Sequence, residues 1–339
     1  MTAFDYSITL SHGGGGRATT QLIEQLFFKH FNNPFLAKAN DQALFQPPPG
    51  RLVMSTDSHV VSPLFFPGGN IGALAVHGTI NDLAMAGAKP LYLSAAFILE
   101  EGLLYTDLEK IVISMAVAAQ QAGTPIITGD TKVVERGKAD GVFITTTGIG
   151  VLTDGVAISS EQAAPGCAIL INGSIGDHGI AIMACREHLR FASDIQSDSV
   201  ALHELVAEML KAAPGAIRCL RDPTRGGVAA VLNELASQSQ VAMVLNEEAL
   251  PIKPEVRAVC EILGLDPLYV ANEGKLIAVC DAEYAEIVLA SMREHPLGRE
   301  AAIIGYVKDQ PKAMVEMTTV MGGRRIVDWP LGEQLPRIC

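Results

Sequence analysis

Ile71-Gly72-Ala73-Leu74-Ala75-Val76-His77-Gly78-Thr79-Ile80-Asn81-Asp82-Leu83-Ala84-Met85-Ala86-Gly87 reads as a helix of small and apolar residues between two strand-like stretches, 51–56 and 91–99. A strand–helix–strand unit of this kind sets the class as mixed α and β. The pattern continues outward. A helix over 107–122 places Ile111, Met115, Ala118 and Ala119 at helical spacing. Strands follow at 126–128 and 142–151. A second half opens near Gln162-Ala163-Ala164-Pro165-Gly166, with strands at 168–172, 241–245 and 276–279. Its helices are expected just after Gly179 and over 200–212, 226–238 and 282–295. Upstream lie a Gly-rich loop at 13–16, a helical stretch over 19–31, and Pro47-Pro48-Pro49-Gly50 as a loop. The expected class is therefore α+β, with mixed or antiparallel sheets covered by helices. Two domains, 1–160 and 161–328, are followed by a Pro-punctuated tail, 329–339, expected to be extended and mobile.

The chain has 339 residues, 25 Lys+Arg against 37 Asp+Glu and a formal charge of −12. Apolar residues make up 49%, and a chain of this size buries about three quarters of its unfolded surface. Disorder is excluded for most of it. The acidic balance argues against duplex nucleic acid and anionic membrane, both of which demand a basic patch. It leaves nucleotides open, because these bind through Mg²⁺ and backbone N–H groups. No apolar run reaches the length that spans a bilayer. The first ten residues contain Asp5 and no basic residue, so no signal peptide is expected. The six cysteines, at 167, 185, 219, 260, 280 and 339, lack metal or disulfide spacing. A cytoplasmic enzyme is the default class.

Four acids stand at strand ends or beside glycines: Asp57, Asp82, Asp130 and Asp222. Mg²⁺ takes carboxylate oxygens together with water and phosphate, and carboxylates from separate strands can supply them. Any one alone also reads as a turn or cap residue. Asp57 and Asp82 are the stronger pair, because acids in apolar surroundings need a partner. Thr224-Arg225-Gly226-Gly227 offers a hydroxyl, a guanidinium and backbone N–H groups where a helix starts, which suits a phosphate or an ordinary cap. Glu273 and Lys132 are candidates for chemistry, and each alone also reads as a solvated loop residue. His12, His59, His77 and His178 lack ligand spacing and read as structural. The Gly13–Gly16 loop fails the phosphate-loop pattern, since Ala18 and Thr19 replace the required Gly and Lys, and it reads as a mobile loop. Cys339, at the end of a Pro-flanked arm, is the sharpest candidate: a thiol there can act as nucleophile or acyl carrier.

Together these segments resemble one family. Ser55-Thr56-Asp57, Phe65-Phe66-Pro67-Gly68-Gly69-Asn70-Ile71-Gly72, Thr128-Gly129-Asp130-Thr131-Lys132-Val133-Val134 and Gly176-Asp177-His178-Gly179 match its signature. So do Arg221-Asp222-Pro223-Thr224-Arg225-Gly226-Gly227, Ala271-Asn272-Glu273-Gly274-Lys275 and the final Pro336-Arg337-Ile338-Cys339. The chain resembles the HypE hydrogenase maturation factors, of the superfamily of aminoimidazole ribonucleotide synthetase (PurM) and selenophosphate synthetase. The tail separates this branch from its relatives.

The resemblance implies a two-domain PurM-like fold, with ATP binding and dimerisation assigned to residues 1–160 and a homodimer whose amino-terminal sheets pair. It implies ATP and Mg²⁺ in the cleft between the domains. It further implies a partner carbamoyltransferase, HypF, that loads Cys339, ATP-dependent dehydration of the S-carboxamide to a thiocyanate, and delivery of cyanide to iron on a HypC–HypD complex. By family position, Asp57, Asp82 and Asp222 hold the metal. Gly129, Asp130, Thr131, Thr224, Arg225 and Gly226 join them on the nucleotide, and Lys132 and Glu273 share the acid and base roles on the amide. Two alternatives stand beside this. One is another ATP-dependent synthetase of the superfamily, disfavoured by the lack of any Cys before Cys167. The other is a non-catalytic carrier that presents Cys339 to partners.

Overall fold

The computed structural model describes residues 6–152, 154–187, 195–332, 335 and 337–339. The signal-peptide reading at residues 1–5 and the tail readings at Glu333, Gln334 and Pro336 lie outside them.

In the first half, a broken helix comprises α1 (Arg17–Leu22), a π-helical segment Ile23–Phe28 and α2 (Lys29–Phe31). Next come β1 (Leu52–His59), a small hairpin of β2 (Phe65–Phe66) and β3 (Gly69–Asn70), and α3 (Ile71–Met85). Then follow β4 (Ala88–Glu100), α4 (Tyr105–Gln121), β5 (Ile126–Val134) and β6 (Val142–Leu152). The sheet runs β1-β6-β4-β5, antiparallel except for the parallel β4–β5 pair. Helix α3 starts where the Asn70 side chain accepts from the N–H groups of Gly72 and Ala73. Its small residues allow close packing: a Cβ on Gly72 would sit 2.3 Å from the Ile111 carbonyl oxygen of α4.

Helices α3 and α4 cover one face of this sheet, while among the described residues the other is largely open apart from Phe35 and Phe45 against Tyr92. There Leu52, Met54 and Ile98 are 53%, 69% and 42% exposed. On the same face Thr56 bonds Thr147 and Ser58 bonds Thr145 across the strands, each at 2.8 Å.

The second half holds β7 (Ala168–Ile171), α5 (Asp177–Arg186), α6 (His203–Ala212), β8 (Ile217–Arg221), α7 (Gly227–Ser239) and β9 (Ala242–Asn246). It continues with α8 (Pro254–Leu263), β10 (Ile277–Cys280), α9 (Ala285–Glu294), β11 (Ala302–Lys308), β12 (Met314–Thr318) and β13 (Arg324–Ile326). Its seven strands run β13-β12-β9-β11-β7-β10-β8, antiparallel except for β9–β12. Strands β8 and β11–β13 and helix α8 are additions to the sequence reading. Strand β5 also runs six residues further than 126–128, past Gly129 and Asp130.

The halves share a core. One cluster joins Ile71, Leu74 and Ile111 of the first half to Ile180, Val256 and Val270 of the second, and it includes Leu335 and Ile338. The described end of the tail is thus held against the body, where the sequence suggested a mobile arm.

Candidate active site

Four carboxyl groups converge where the halves meet, each delivered by the end of an element. Asp57 comes from the inner face of β1. Asp82 comes from the last turn of α3, where its Oδ2 accepts from Ser55 Oγ at 2.5 Å. Asp222 follows β8, and Glu273 lies in the loop before β10. Asn272 ties these two loops together: its Nδ2 donates to the Pro223 carbonyl at 2.9 Å, and its own N–H donates there at 3.1 Å. Its Oδ1 accepts from Gly176 N at 2.8 Å.

Crowding like charges in a desolvated cleft favours their neutral forms. Burial raises Asp82, and Asp57 beside it adds to the rise. Burial and then the Asp82 carboxyl push Asp222 up to about 7. Glu273 is 3% exposed, and its Oε1 has no hydrogen-bond partner. Burial, with Asp222, Asp198, Asp57 and Asp82 around it, lifts Glu273 well above the carboxylate range. His59 backs the cluster, its Nε2 lying 3.4 Å from Asp57 Oδ2, and burial keeps the ring neutral.

The Cys339 thiol faces this cluster. Burial raises it first, Glu273, Asp57 and Asp222 raise it further, and Arg225 opposes them. Main-chain contacts hold it there. Val60 N donates to the Cys339 carbonyl at 3.1 Å, and Ser62 N donates to that of Arg337 at 3.2 Å. The buried His178 ring lies 2.8 Å from the Ile338 carbonyl through Nε2 and 2.7 Å from Ser197 Oγ through Nδ1. The carbonyl can only accept, so Nε2 carries the proton. Arg186 also donates to the Arg337 carbonyl, and the Arg337 guanidinium pairs with Asp140. None of these bonds involves the sulfur.

Thr224, Arg225 and Gly226 lead into α7, which starts without a side-chain cap. Arg225 and Gly226 line a cavity of about 280 Å³ together with Leu335 and Ile338. At Gly227, φ is +62° and a Cβ would meet the Leu268 carbonyl oxygen at 2.5 Å, so no larger residue fits this turn.

Gly129, Asp130, Thr131 and Lys132 lie elsewhere within the chain. They line a cavity of about 680 Å³ beneath Phe27, Phe31 and Phe35. Strand β5 is three strand spacings from β1, about 14 Å. Lys132 pairs with Asp130 at 2.7 Å, both more than 60% exposed, and the Lys132 hydrogen bond holds Asp130 below its usual range. The structure therefore brings together Asp57, Asp82, Asp222, Arg225, Glu273 and Cys339, but leaves Lys132 and Asp130 apart from them in one chain. The Gly13–Gly16 loop packs on the same strand, where a Cβ at Gly13 would meet Val133 N at 2.8 Å.

Residues 39–152 match the family of AIR synthase related protein, N-terminal domain, and residues 164–317 match AIR synthase related protein, C-terminal domain. The chain is 64% identical over 333 residues to the carbamoyl dehydratase HypE of Azotobacter vinelandii, covering 98% of this chain and 97% of that one. The chain belongs to the HypE family. A solved HypE in complex with ATP matches with a TM-score of 0.94 and 52% identity over 98% of this chain and 99% of that one. HypE in a HypE–HypF complex matches with a TM-score of 0.80 and 50% identity over 91% and 99%.

For this HypE chain, a hard divalent cation suits the donor set at the junction. Burial first, and then the neighbouring Asp82 and Asp57 carboxyls, drive Asp222 toward neutrality, and a cation would oppose that. Among the described residues, no group of three His, Cys, Asp or Glu side chains is drawn closely enough together to hold a metal ion by itself. His178, read from the sequence as structural, is a buried ring bonded to the Ile338 carbonyl and Ser197, a contact that only the folded chain shows.

Proposed function

We propose that the chain is an ATP-dependent carbamoyl dehydratase acting on its own Cys339, which HypF carbamoylates. The observation that carries this reading is that Cys339, held through its main chain by Val60, is buried within electrostatic reach of Glu273, Arg225, Asp57 and Asp222. An amide oxygen leaves poorly, and phosphorylation by ATP turns it into a phosphate. The sulfur–carbon bond stays intact throughout. One N–H proton is lost as the γ-phosphoryl group joins the oxygen, and the second as phosphate departs and the C≡N bond closes. The net change is loss of one water from the S-carboxamide.

Asp57, Asp82 and Asp222 would hold Mg²⁺, whose charge supports phosphoryl transfer. Arg225, Thr224 and Gly226 orient phosphate at the start of α7. Burial and the surrounding acids lift Glu273 well above the carboxylate range, and neutralising those acids would lower it again, toward the role of proton acceptor. Gly129, Asp130, Thr131 and Lys132 are assigned to the nucleotide and to the developing charge from the edge of the first sheet. Lys132 and Asp130 lie on its largely open face, which we assign to a homodimer. The thiocyanate then serves as the cyanide source for iron on HypC–HypD in [NiFe]-hydrogenase maturation. Six free thiols suit the cytoplasm, and among the described residues no helix is long and apolar enough to cross a membrane.

Intact mass of the HypF-carbamoylated protein, before and after ATP and Mg²⁺, tests the reading. Loss of one water, absent from Cys339→Ala and from Glu273→Gln with its ATP binding retained, is the expected result. An adduct unchanged by ATP would leave Cys339 a carrier only.

A further inference from the structure

A buried carboxyl with no hydrogen bond of its own can be aimed only by its backbone. Glu273 is in that position: its Oε1 is unpartnered, yet its main chain is pinned at both ends. Its N–H donates to Asp198 Oδ1 at 3.0 Å. Its carbonyl accepts from Asn81 Nδ2 at 3.1 Å.

Asn81 belongs to the other half of the molecule. It sits on α3, 1% exposed, immediately before Asp82. Its second amide hydrogen goes to the Val200 carbonyl at 3.0 Å, and its Oδ1 accepts from Leu202 N at 2.8 Å. Both donors and the acceptor of this side chain are thus spent across the junction, none of them within α3. Asp198 is fixed in turn by Lys275, 2.9 Å away and 12% exposed. Gly274 closes the arrangement, since a Cβ there would lie 1.8 Å from the Asp198 carbonyl oxygen. One asparagine, whose neighbour in sequence is an acid of the cluster, thus ties α3 both to the segment around 198–202 and to the Glu273 loop.

We propose that Asn81 is a positioning residue for dehydration, setting the distance between the Asp82 carboxylate on one half and the Glu273 carboxyl on the other. The inference rests on the dehydratase reading and adds to it the device that aligns its two halves. Misplacement of a catalytic group by about an ångström costs on the order of 100-fold in rate, so a single amide contact at this point has kinetic consequences out of proportion to its strength.

The test is a single turnover of the full-length carbamoylated protein, started with ATP and Mg²⁺ and followed by intact mass. Its amplitude reports the folded, competent fraction and its rate reports geometry. Asn81→Ala is expected to slow the rate roughly 10- to 100-fold, with amplitude and ATP dissociation constant within roughly twofold of the parent. Asn81→Ser, which keeps one short donor and disturbs folding less, is expected to fall between the two. Should the alanine variant not fold, the serine variant decides alone. An unchanged rate in either folded variant overturns the proposal, as does a loss confined to amplitude, which would make Asn81 merely structural. A parent protein that loses no water overturns the dehydratase reading instead, so the two failures are distinct.

Discussion

Asp222 combines function with a cost to stability. Its folded-state pKa, about 7, lies far above its ordinary 3.8, so the folded protein binds a proton that the unfolded chain has released. Its contribution to stability is complete below about pH 4 and is lost as pH rises toward 7. Asp222→Asn is therefore expected to raise the melting temperature at pH 8 and to leave it nearly unchanged at pH 4, while abolishing dehydration. Calorimetry at the two pH values checks the sign, and a variant less stable at pH 8 would refute it. Asp57, Asp82 and Asp222 stood out in the sequence as acids at strand ends or beside glycines, whereas Glu273 alone reads as a solvated loop residue and entered through the family resemblance. Asn81 and His178 did not stand out. A lone Asn or His in a helix reads as packing, and only the folded chain shows the first reaching across the junction and the second gripping Ile338.

Among the elements, α3 was read nearly to its ends, since its apolar run is long and its punctuation plain, while β1 was ended three residues early and β4 begun three residues late. Strand β5 was cut short at Thr128 because Gly129 and Asp130 disfavour strands. Parallel pairing with β4, from Leu93 with Ile126 to Glu100 with Val134, overrides that preference. The same pairing demands the glycine: a Cβ at residue 129 would lie 2.2 Å from the Ala95 carbonyl oxygen. Gly129→Ala is expected to cost about 2 kcal/mol, read as a lower urea midpoint at unchanged slope. Helix α8 was overlooked despite Pro254 in its first turn and Gly264, at φ +69°, after its last. Both signals were present in the sequence, but the intervening run is short and a third of it is charged.

On the scale of the whole molecule, the first sheet keeps one face largely without a cover. Met54, 69% exposed there, has the company of Leu52 and Ile98, an apolar set that suits a second copy of the chain. Met54→Glu is expected to shift the assembly toward monomer in sedimentation at micromolar concentration. A monomeric parent would remove the homodimer from the proposal. The opposite boundary, between the halves, includes a shared apolar cluster, and the tail is part of it. Leu335 and Ile338 are 9% and 2% exposed and belong to the same cluster as Ile71 and Ile180. The peptide that carries the reactive sulfur is therefore also a plug in the hydrophobic core. Withdrawing it uncovers an apolar socket and an apolar side chain together, at about 2 kcal/mol for the isoleucine alone. A protein that takes delivery of Cys339 has to offer Ile338 a greasy berth of its own. Delivery is thus a trade of one socket for another, and a receiver without that pocket leaves its cargo in the dock.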